Sequence, residues 1–168
     1  FENEDFTVMF KFKFLNKPKL YTFPRLVSKG NNDGNKGWYV FYNNNTEKLG
    51  VAIGYNSQFL QTQYLSNNID INRWYHLTWV WDRRVSDAIS ILYLDGVPGN
   101  NQTFTIPPSA NSFNLTVGMS SESVDLGFEG AIDELIVMNR TLNNTQVSMW
   151  HKGKTDLIAN DIIKVDQV

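Results

Sequence analysis

The stretch Leu126-Gly-Phe-Glu-Gly-Ala-Ile-Asp-Glu-Leu-Ile-Val-Met-Asn-Arg-Thr-Leu142 reads as one long β-strand. Its apolar side chains keep one parity as far as Ile132 and take the opposite parity from Leu135 onward. A strand that keeps its apolar side inward across such a switch needs one extra residue, a β-bulge, near Asp133 and Glu134. Because a bulge re-aims side chains and frees carbonyl groups, Asp133 is a candidate metal ligand as well as a kink residue.

The rest of the chain also reads as short strands. Residues 6–14 alternate between apolar and polar side chains, which is typical of a half-buried antiparallel strand. Roughly ten such strands, with turn residues about every eight to twelve positions, predict an all-β fold of two antiparallel sheets packed as a jelly-roll sandwich. One short C-terminal helix is predicted from Asn143 to His151. Residues 104–108 are predicted to be a weak edge strand, because prolines remove ladder donors.

Length, charge and residue usage exclude several classes of protein. The 168 residues suffice for one domain with its own core. The formal net charge of −2 gives no reason to expect nucleic acid or an anionic membrane as a partner. The chain has no cysteine, so neither disulfides nor thiolate chemistry are available. No apolar run reaches the ~20 residues of a transmembrane helix and no signal peptide is visible, so we expect a mature or excised segment without membrane insertion.

Four motifs follow one another in the order of a known family. They are FTVMFKF at residues 6–12, WYHLT at 74–78, LYLDG at 92–96 and FEGAIDELIV at 128–137. In that order they resemble the opening strand, a central strand, a hairpin and the last core strand of laminin G-like domains. More broadly, the chain resembles the concanavalin A-like lectin/glucanase superfamily over roughly residues 5–150.

The resemblance implies a laminin G-like β-sandwich at residues 1–154 and leaves the function open, since this fold hosts lectins, adhesion modules, spacers and glycosidases. We expect a non-catalytic binding module of an exported or cell-surface protein that recognises a carbohydrate or an extracellular protein partner. The alternative is a structural domain of a surface layer, filament or viral fibre, which self-associates through an edge strand or the tail.

The tail, residues 155–168, is expected to play one of two roles. Laminin G-like chains usually have a further strand before the one that starts here at Phe6, and only five residues precede Phe6 in this sequence. The apolar tail, or else a strand from another segment or chain, is therefore predicted to fill the sheet edge left by that strand. Alternatively, it leads into a neighbouring domain.

The resemblance also implies a structural calcium ion. In many relatives the Asp of the "I-D" motif, here Asp133, supplies a carboxylate. Further oxygen ligands come from the segment that ends at Asp5 and from the loop between Gly30 and Asp33. Calcium accepts such mixed carboxylate and carbonyl sets from irregular loops. The alternative is that Asp133 caps the bulge by accepting hydrogen bonds from nearby backbone N–H groups.

A sugar-binding site needs exposed aromatic rings for stacking, with amide and carboxylate groups around them. The resemblance places such a site on the concave sheet or the loop edge. Aromatic residues of a β-sandwich are more often core residues, so most of the candidates are expected to be buried. The aromatic candidates are Trp38, Tyr39, Tyr42, Tyr55, Tyr64 and Trp81, and the polar candidates are Asn56, Gln61, Gln63 and Asp82.

The two histidines have structural interpretations. His76 matches the family's histidine and is expected to bond to the backbone rather than to bind a ligand. His151 ends the predicted helix, where it can satisfy the last carbonyl groups.

The carboxylate pattern of the superfamily's glycosidases is absent. Laminarinase and lichenase types use an E-x-D-x-E or E-x-D-x-x-E strand, which sets two carboxylates about 5–5.5 Å apart. Here Glu129 and Asp133 are roughly 13 Å apart on an extended strand, and Asp133 and Glu134 point to opposite faces. We therefore predict that the protein is not an enzyme. A degenerate glycosidase relative is the third alternative.

Five Asn-x-Thr sequons favour an exported glycoprotein, although asparagine also fills turns in its own right. The glycosylation candidates are Asn44, Asn101, Asn114, Asn139 and Asn143.

Overall fold

Two antiparallel sheets and one helix form the described part of the chain. The computed structural model describes residues 4–16, 23–31, 36–55, 58–65, 68–84, 87–105, 108, 110–120, 127–153 and 163–164. No helix within these residues is long and apolar enough to cross a membrane.

The larger sheet has seven strands. They are β1 (Phe6–Phe14), β6 (Tyr75–Arg83), β7 (Ala88–Leu94), β8 (Val97–Pro98), β9 (Gln102–Phe104), β11 (Gly130–Met138) and β12 (Ile163–Lys164). Their order is β12-β11-β1-β6-β7-β8, and β9 also pairs with β7. The first long strand therefore lies beside the last one, with Phe12 opposite both Ile132 and Tyr75. The predicted strand at residues 104–108 is corrected to β9, which already ends at Phe104, before the prolines.

The smaller sheet has five strands. They are β2 (Arg25–Gly30), β3 (Gly37–Asn43), β4 (Lys48–Tyr55), β5 (Gln58–Tyr64) and β10 (Thr116–Val117). Their order is β10-β2-β3-β4-β5. β3 and β4 form a hairpin whose last pair is Asn43 and Lys48. This tight turn fixes the register of the two central strands.

The main core lies between the sheets and is rich in aromatic rings. The even-numbered side chains of β1 all point into it, as the alternation of residues 6–14 predicts. The ring of Phe6 lies between two indoles, with its centre 5.7 Å from that of Trp38 and 5.9 Å from that of Trp81. Trp79 meets Trp38 edge-on at 5.4 Å, which joins the two sheets.

The predicted bulge lies in β11. Lys11 pairs with Asp133 and Met9 pairs with Ile136, so two steps along β1 match three steps along β11. Glu134 takes up the extra residue with φ of 51°, in the left-handed region. The Asp133 carboxylate accepts the Glu134 backbone N–H at 2.8 Å, so Asp133 caps the bulge as the alternative interpretation expected.

The single helix of the described residues, α1 (Asn144–His151), follows β11. Asn143 caps it, because its side chain accepts the Gln146 N–H while the Gln146 side chain accepts the Asn143 N–H. Val147 and Trp150 are its buried residues. They pack on the outer face of the seven-stranded sheet against Met9, Val80, Tyr93, Met138 and Leu142.

Two residues of the tail pair with the sheet. Ile163 lies opposite Val137 and Lys164 opposite Ile136, at the free side of β11. The division of the chain at residue 154 and the need for the tail in folding stay predictions.

Candidate binding face of the five-stranded sheet

The outer face of the five-stranded sheet carries a cluster of aromatic rings. The even-numbered side chains of β3 point into the core, so Tyr39 and Phe41 point outward. The Phe41 ring centre lies 5.5 Å from that of Tyr39 and 5.7 Å from those of Phe23 and Tyr64. We call Phe23, Tyr39, Phe41 and Tyr64 the aromatic face.

Two rings of the aromatic face are open to solvent and two form its base. Tyr64 is 40% exposed and Phe23 42% exposed, whereas Phe41 is 1% exposed beside them. Gly50 makes this packing possible, because a Cβ there would lie 3.0 Å from both Phe41 Cζ and Tyr64 Cδ1. The result is two outward rings on a rigid aromatic base.

Tyr39 is held from below by a buried arginine. The Arg25 guanidinium lies 4.0 Å from the centre of the Tyr39 ring. Arg25 also donates to the Asn31 carbonyl at 2.8 Å and to the Ser28 hydroxyl at 3.3 Å. Burial raises the pKa of Tyr39 to about 12, against the opposing effect of Arg25. The Tyr39 hydroxyl therefore stays protonated at physiological pH and does not act as a base.

Tyr64 is oriented by the turn of the β3–β4 hairpin. The Asn43 amide donates to the Tyr64 hydroxyl at 3.2 Å. The carbonyl of the same side chain accepts the N–H groups of Asn45 and Thr46 at 2.9 and 3.2 Å. Because one short side chain serves both the turn and the ring, the exposed Tyr64 has a defined orientation.

The strands under the aromatic face carry no acid. β2, β3, β4 and β5 contain neither Asp nor Glu. Glycoside hydrolysis in most families needs two carboxylates flanking the scissile bond. These four strands therefore supply no carboxylate pair for hydrolysis.

Three of the predicted ligand-binding residues are corrected. Trp38, Tyr42 and Trp81 are at most 2% exposed and belong to the core between the sheets. A ring enclosed on both sides has no free face for a sugar. Gln63, named as a polar partner, also points inward, where it accepts the Ser90 hydroxyl and donates to the Asn100 carbonyl.

The remaining predicted ligand residues do not form one site. Tyr64 lies on the aromatic face. Asp82 follows the core residue Trp81 in β6, so it faces outward from the other sheet, where it lies 3.4 Å from Arg84. The side chains of Tyr55 and Gln61, and all of Asn56, lie outside the described residues.

Sequence reasoning missed Phe23, Arg25 and Phe41. A usable signal was present in residues 38–42, where both parities of the strand are apolar or aromatic. A strand that is apolar on both faces has two alternating sets of side chains, and only one set can point into the core. The other set must point out of the sandwich.

Two of the predicted calcium ligands, Asp133 and Asp5, do not lie at the same end of β1. Asp133 lies opposite Lys11, and Lys11 is six residues after Asp5. Six residues of an extended strand span roughly 20 Å, so this distance separates Asp5 from the level of Asp133. Asp5 accepts the Arg83 backbone N–H at 2.7 Å, and Asp133 caps the bulge. Across the described ranges, no group of three or more His, Asp or Glu side chains is placed to hold a metal ion.

The part of the calcium prediction that excludes Asp133 stays a prediction. Gly30 pairs with Gly37, next to Trp38, and Trp38 stacks on Phe6. Gly30 and Asp5 therefore lie toward the same end of the sandwich. Asp33 is outside the described residues.

Four of the five sequon asparagines are exposed, and Asn44 in the β3–β4 turn is half-buried. The exposed ones are Asn101, Asn114, Asn139 and Asn143. Their glycosylation stays a prediction.

Solved structures of several binding domains share this fold. A sialidase CBM40 from Ruminococcus gnavus, solved with α2,3-sialyllactose, aligns with a TM-score of 0.65 and 13% identity over 88% of this chain and 83% of that one. The receptor-binding domain of botulinum neurotoxin D aligns with a TM-score of 0.66 and 15% identity over 91% and 38%. The binding domain of Paraclostridial Mosquitocidal Protein 1 aligns with a TM-score of 0.68 and 18% identity over 92% and 38%. This chain thus spans about two fifths of the two toxin chains, and identities this low show the fold alone.

The family of this chain is shown by a match to a family model, because the structural relatives are too low in sequence identity to show it. No curated protein matches the sequence. The laminin G-like family model, described as the concanavalin A-like lectin/glucanases superfamily, matches residues 1–148. The match includes all four motifs and the strands of the aromatic face. The chain therefore belongs to the laminin G-like domains of the concanavalin A-like lectin/glucanase superfamily.

Proposed function

We propose that the protein is a non-catalytic binding module that holds a glycan on the aromatic face. The observation that carries the proposal is the pair of half-exposed rings, Tyr64 and Phe23, beside the buried Phe41. A pyranose ring offers C–H bonds on one face and hydroxyl groups around its rim. Two outward aromatic rings suit that face, because aromatic side chains combine apolar area with a preferred stacking geometry.

Pre-organisation supports binding by these two rings. The Asn43 amide fixes the Tyr64 hydroxyl, and the absence of a side chain at Gly50 lets the rings pack closely. A site whose side chains are already in place loses little conformational entropy when a ligand arrives. The lack of acidic residues on β2–β5 favours binding without turnover at this face.

The names of the structural relatives are consistent with a binding role. They include a carbohydrate-binding module solved with a sialylated sugar and two toxin binding domains. For this chain we propose a carbohydrate ligand and a place at the cell surface or outside the cell, where the five sequons can carry glycans. A structural calcium ion at the Asp5 and Gly30 end is part of the same proposal.

A second candidate function is assembly through a sheet edge. Among the described strands, β5 pairs only with β4 and is the last strand of its sheet. Its sequence QFLQTQY contains no charge and no proline, two common protections of an edge, and its one protective feature is a bulge between the pairs with Ile53 and Gly54. Such an edge can accept a strand from another subunit.

The experiment that separates the two functions is a glycan array with the whole chain and its Tyr64→Ala and Ile71→Ala variants, each with calcium and with chelator. We expect one glycan class to bind the wild type and Ile71→Ala. Tyr64→Ala should bind about tenfold more weakly or worse, a loss of about 1.4 kcal/mol or more. Ile71 is the matched control, because it is an exposed apolar residue outside the aromatic face.

Equal binding by Tyr64→Ala would contradict the aromatic face as the site. No binding to any glycan, together with self-association in analytical ultracentrifugation, would favour the assembly function instead. Binding that is lost with chelator would add a role for calcium in the site.

A further inference from the structure

The outer face of the seven-stranded sheet holds a contact between the two histidines of the chain. His76 lies on β6, and His151 is the last residue of α1. Their ring centres are 4.7 Å apart with the planes at 85°. Trp150, which anchors α1 on the sheet, contacts His76 at 4.9 Å. The contact between the two histidines therefore lies where the C-terminal end of α1 packs against the sheet.

Both histidines are also tied to the turn after β7. The His76 backbone N–H donates to the Asp95 carboxylate at 2.9 Å. The His151 side chain packs against Gly96, the residue after Asp95. A Cβ added at Gly96 would lie only 3.1 Å from His151 Cβ. The pair thus joins three parts of the fold: β6, the Asp95–Gly96 turn and α1.

The inner nitrogen of each ring lacks a partner. His76 Nδ1 and His151 Nδ1 are buried, and neither has a hydrogen-bond partner in the described part of the chain. The expected bonds to backbone carbonyl groups are therefore not made by these atoms. A neutral imidazole can leave one nitrogen as a bare acceptor at modest cost. An added proton would create a buried charged donor without an acceptor, which costs much more.

Charged groups around His76 come from several elements. Lys11 on β1 lies directly opposite His76, and it is paired with Glu134 on β11. Asp95 is paired with Arg73 at 2.9 Å. Burial lowers the pKa of His76, His151 and Lys11 lower it further, and Asp95 and Glu134 act in the opposite direction.

We propose that His76 and His151 form a pH-sensitive latch, which holds α1 on the sheet while the His76 ring is neutral and releases it when that ring is protonated. Release would uncover the apolar residues that α1 covers, among them Met9, Tyr93 and Met138. The helix is suited to such release, because it is a single short element that follows the last long strand.

The direction of the pH effect follows from linkage. The pKa of His76 is lower in the folded protein than its ordinary value of about 6.5, so the unfolded or released state binds the proton more readily. The stabilising effect of the latch is therefore complete above about pH 7.5, and it declines as the pH falls through about 6.5 toward the lowered pKa. The chain has two histidines and no cysteine, so no other side chain has an ordinary pKa between about 5 and 8.

Hydrogen exchange measured by mass spectrometry at several pH values tests the latch in the full chain. After correction for intrinsic exchange, we expect the protection of residues 144–151 to fall several-fold between pH 7.5 and 5.5, because the released state binds the proton more readily. Protection of residues 37–54, in the other sheet, should stay constant. His76→Phe keeps a ring against Trp150 and should remove the pH dependence. Ser148→Ala, a change on the same helix, should keep it.

Several results would overturn the latch. They are constant protection of α1 across this pH range, an equal fall in residues 37–54, or an unchanged pH dependence in His76→Phe. If His76→Phe does not fold, an NMR titration of the two imidazole rings in the wild type decides. A midpoint for His76 below 6.5 that shifts in His151→Phe supports the latch, and a midpoint at or above 6.5, or one that does not shift in His151→Phe, overturns it.

Discussion

The outer faces of the two sheets are treated differently by the chain. On the five-stranded sheet, Tyr64 and Phe23 remain open to solvent on the Phe41 base. On the seven-stranded sheet, α1 covers the apolar residues with Val147 and Trp150. Both outer faces carry aromatic or large apolar side chains, and within the described residues a helix covers only the face of the seven-stranded sheet.

The face that α1 covers contributes to stability, whereas the aromatic face is the one proposed to bind. A face covered by a helix contributes apolar burial, and the charged pairs at its rim, such as Lys11 with Glu134, stay exposed. A face that keeps two rings in water gives up part of that burial. In the proposed function, the exposed rings with a defined orientation are the ones that a bound glycan would cover.

The largest expected effect comes from removing the central ring of each face. Trp150→Ala and Phe41→Ala each remove a ring that is at most 2% exposed, and each should lower the free energy of unfolding by about 3–5 kcal/mol. Urea denaturation measures this loss. Glycan binding, measured at a temperature where both variants are folded, should survive Trp150→Ala and be lost in Phe41→Ala.

This pair of variants tests whether the two outer faces act independently. Equal loss of glycan binding in both would mean that the two faces are not independent. Intact binding in Phe41→Ala would mean that the base of the aromatic face does not position Tyr64 and Phe23.

A smaller effect is expected from Gly50→Ala. The added Cβ would lie 2.9 Å from the Gln63 carbonyl oxygen and 3.0 Å from atoms of Phe41 and Tyr64, so the rings must move. We expect a loss of about 1–3 kcal/mol in the free energy of unfolding, together with weaker glycan binding. Titration calorimetry in a double-mutant cycle with Tyr64→Ala measures the coupling. Additive losses in that cycle would show that Gly50 does not act through the Tyr64 ring.

Much of the fold could be predicted because strand parity is a local property. The change of parity between Ile132 and Leu135 predicted the bulge, which the pairing of Lys11 with Asp133 and of Met9 with Ile136 confirms. The alternation of residues 6–14 gave the buried face of β1 in the same way. The helix is also confirmed, with Asn143 as its cap and Asn144 as its first residue.

The site was harder to predict because it depends on which face points outward. In residues 38–42 both parities are apolar, so the alternation does not tell Trp38 and Tyr42 from Tyr39 and Phe41. Only the packing of the two sheets places the first pair in the core and the second pair outside. Whether Asp133 shares an ion with Asp5 was equally hard to predict, since the pairing of β1 with β11 sets the distance between these two residues.

The smallest effect is expected from Asp133→Ala, and it decides what remains of the calcium prediction. Loss of the exposed cap on the Glu134 N–H should lower the free energy of unfolding by only about 0.5 kcal/mol. Thermal melting with calcium and with chelator should show the same calcium effect in Asp133→Ala as in the wild type, because this carboxylate is committed to the bulge. A calcium effect that disappears in Asp133→Ala would make Asp133 a metal ligand and overturn its role as a cap. An effect that persists there and disappears in Asp5→Ala would instead place the ion at the far end of β1, where Asp5 and Gly30 lie.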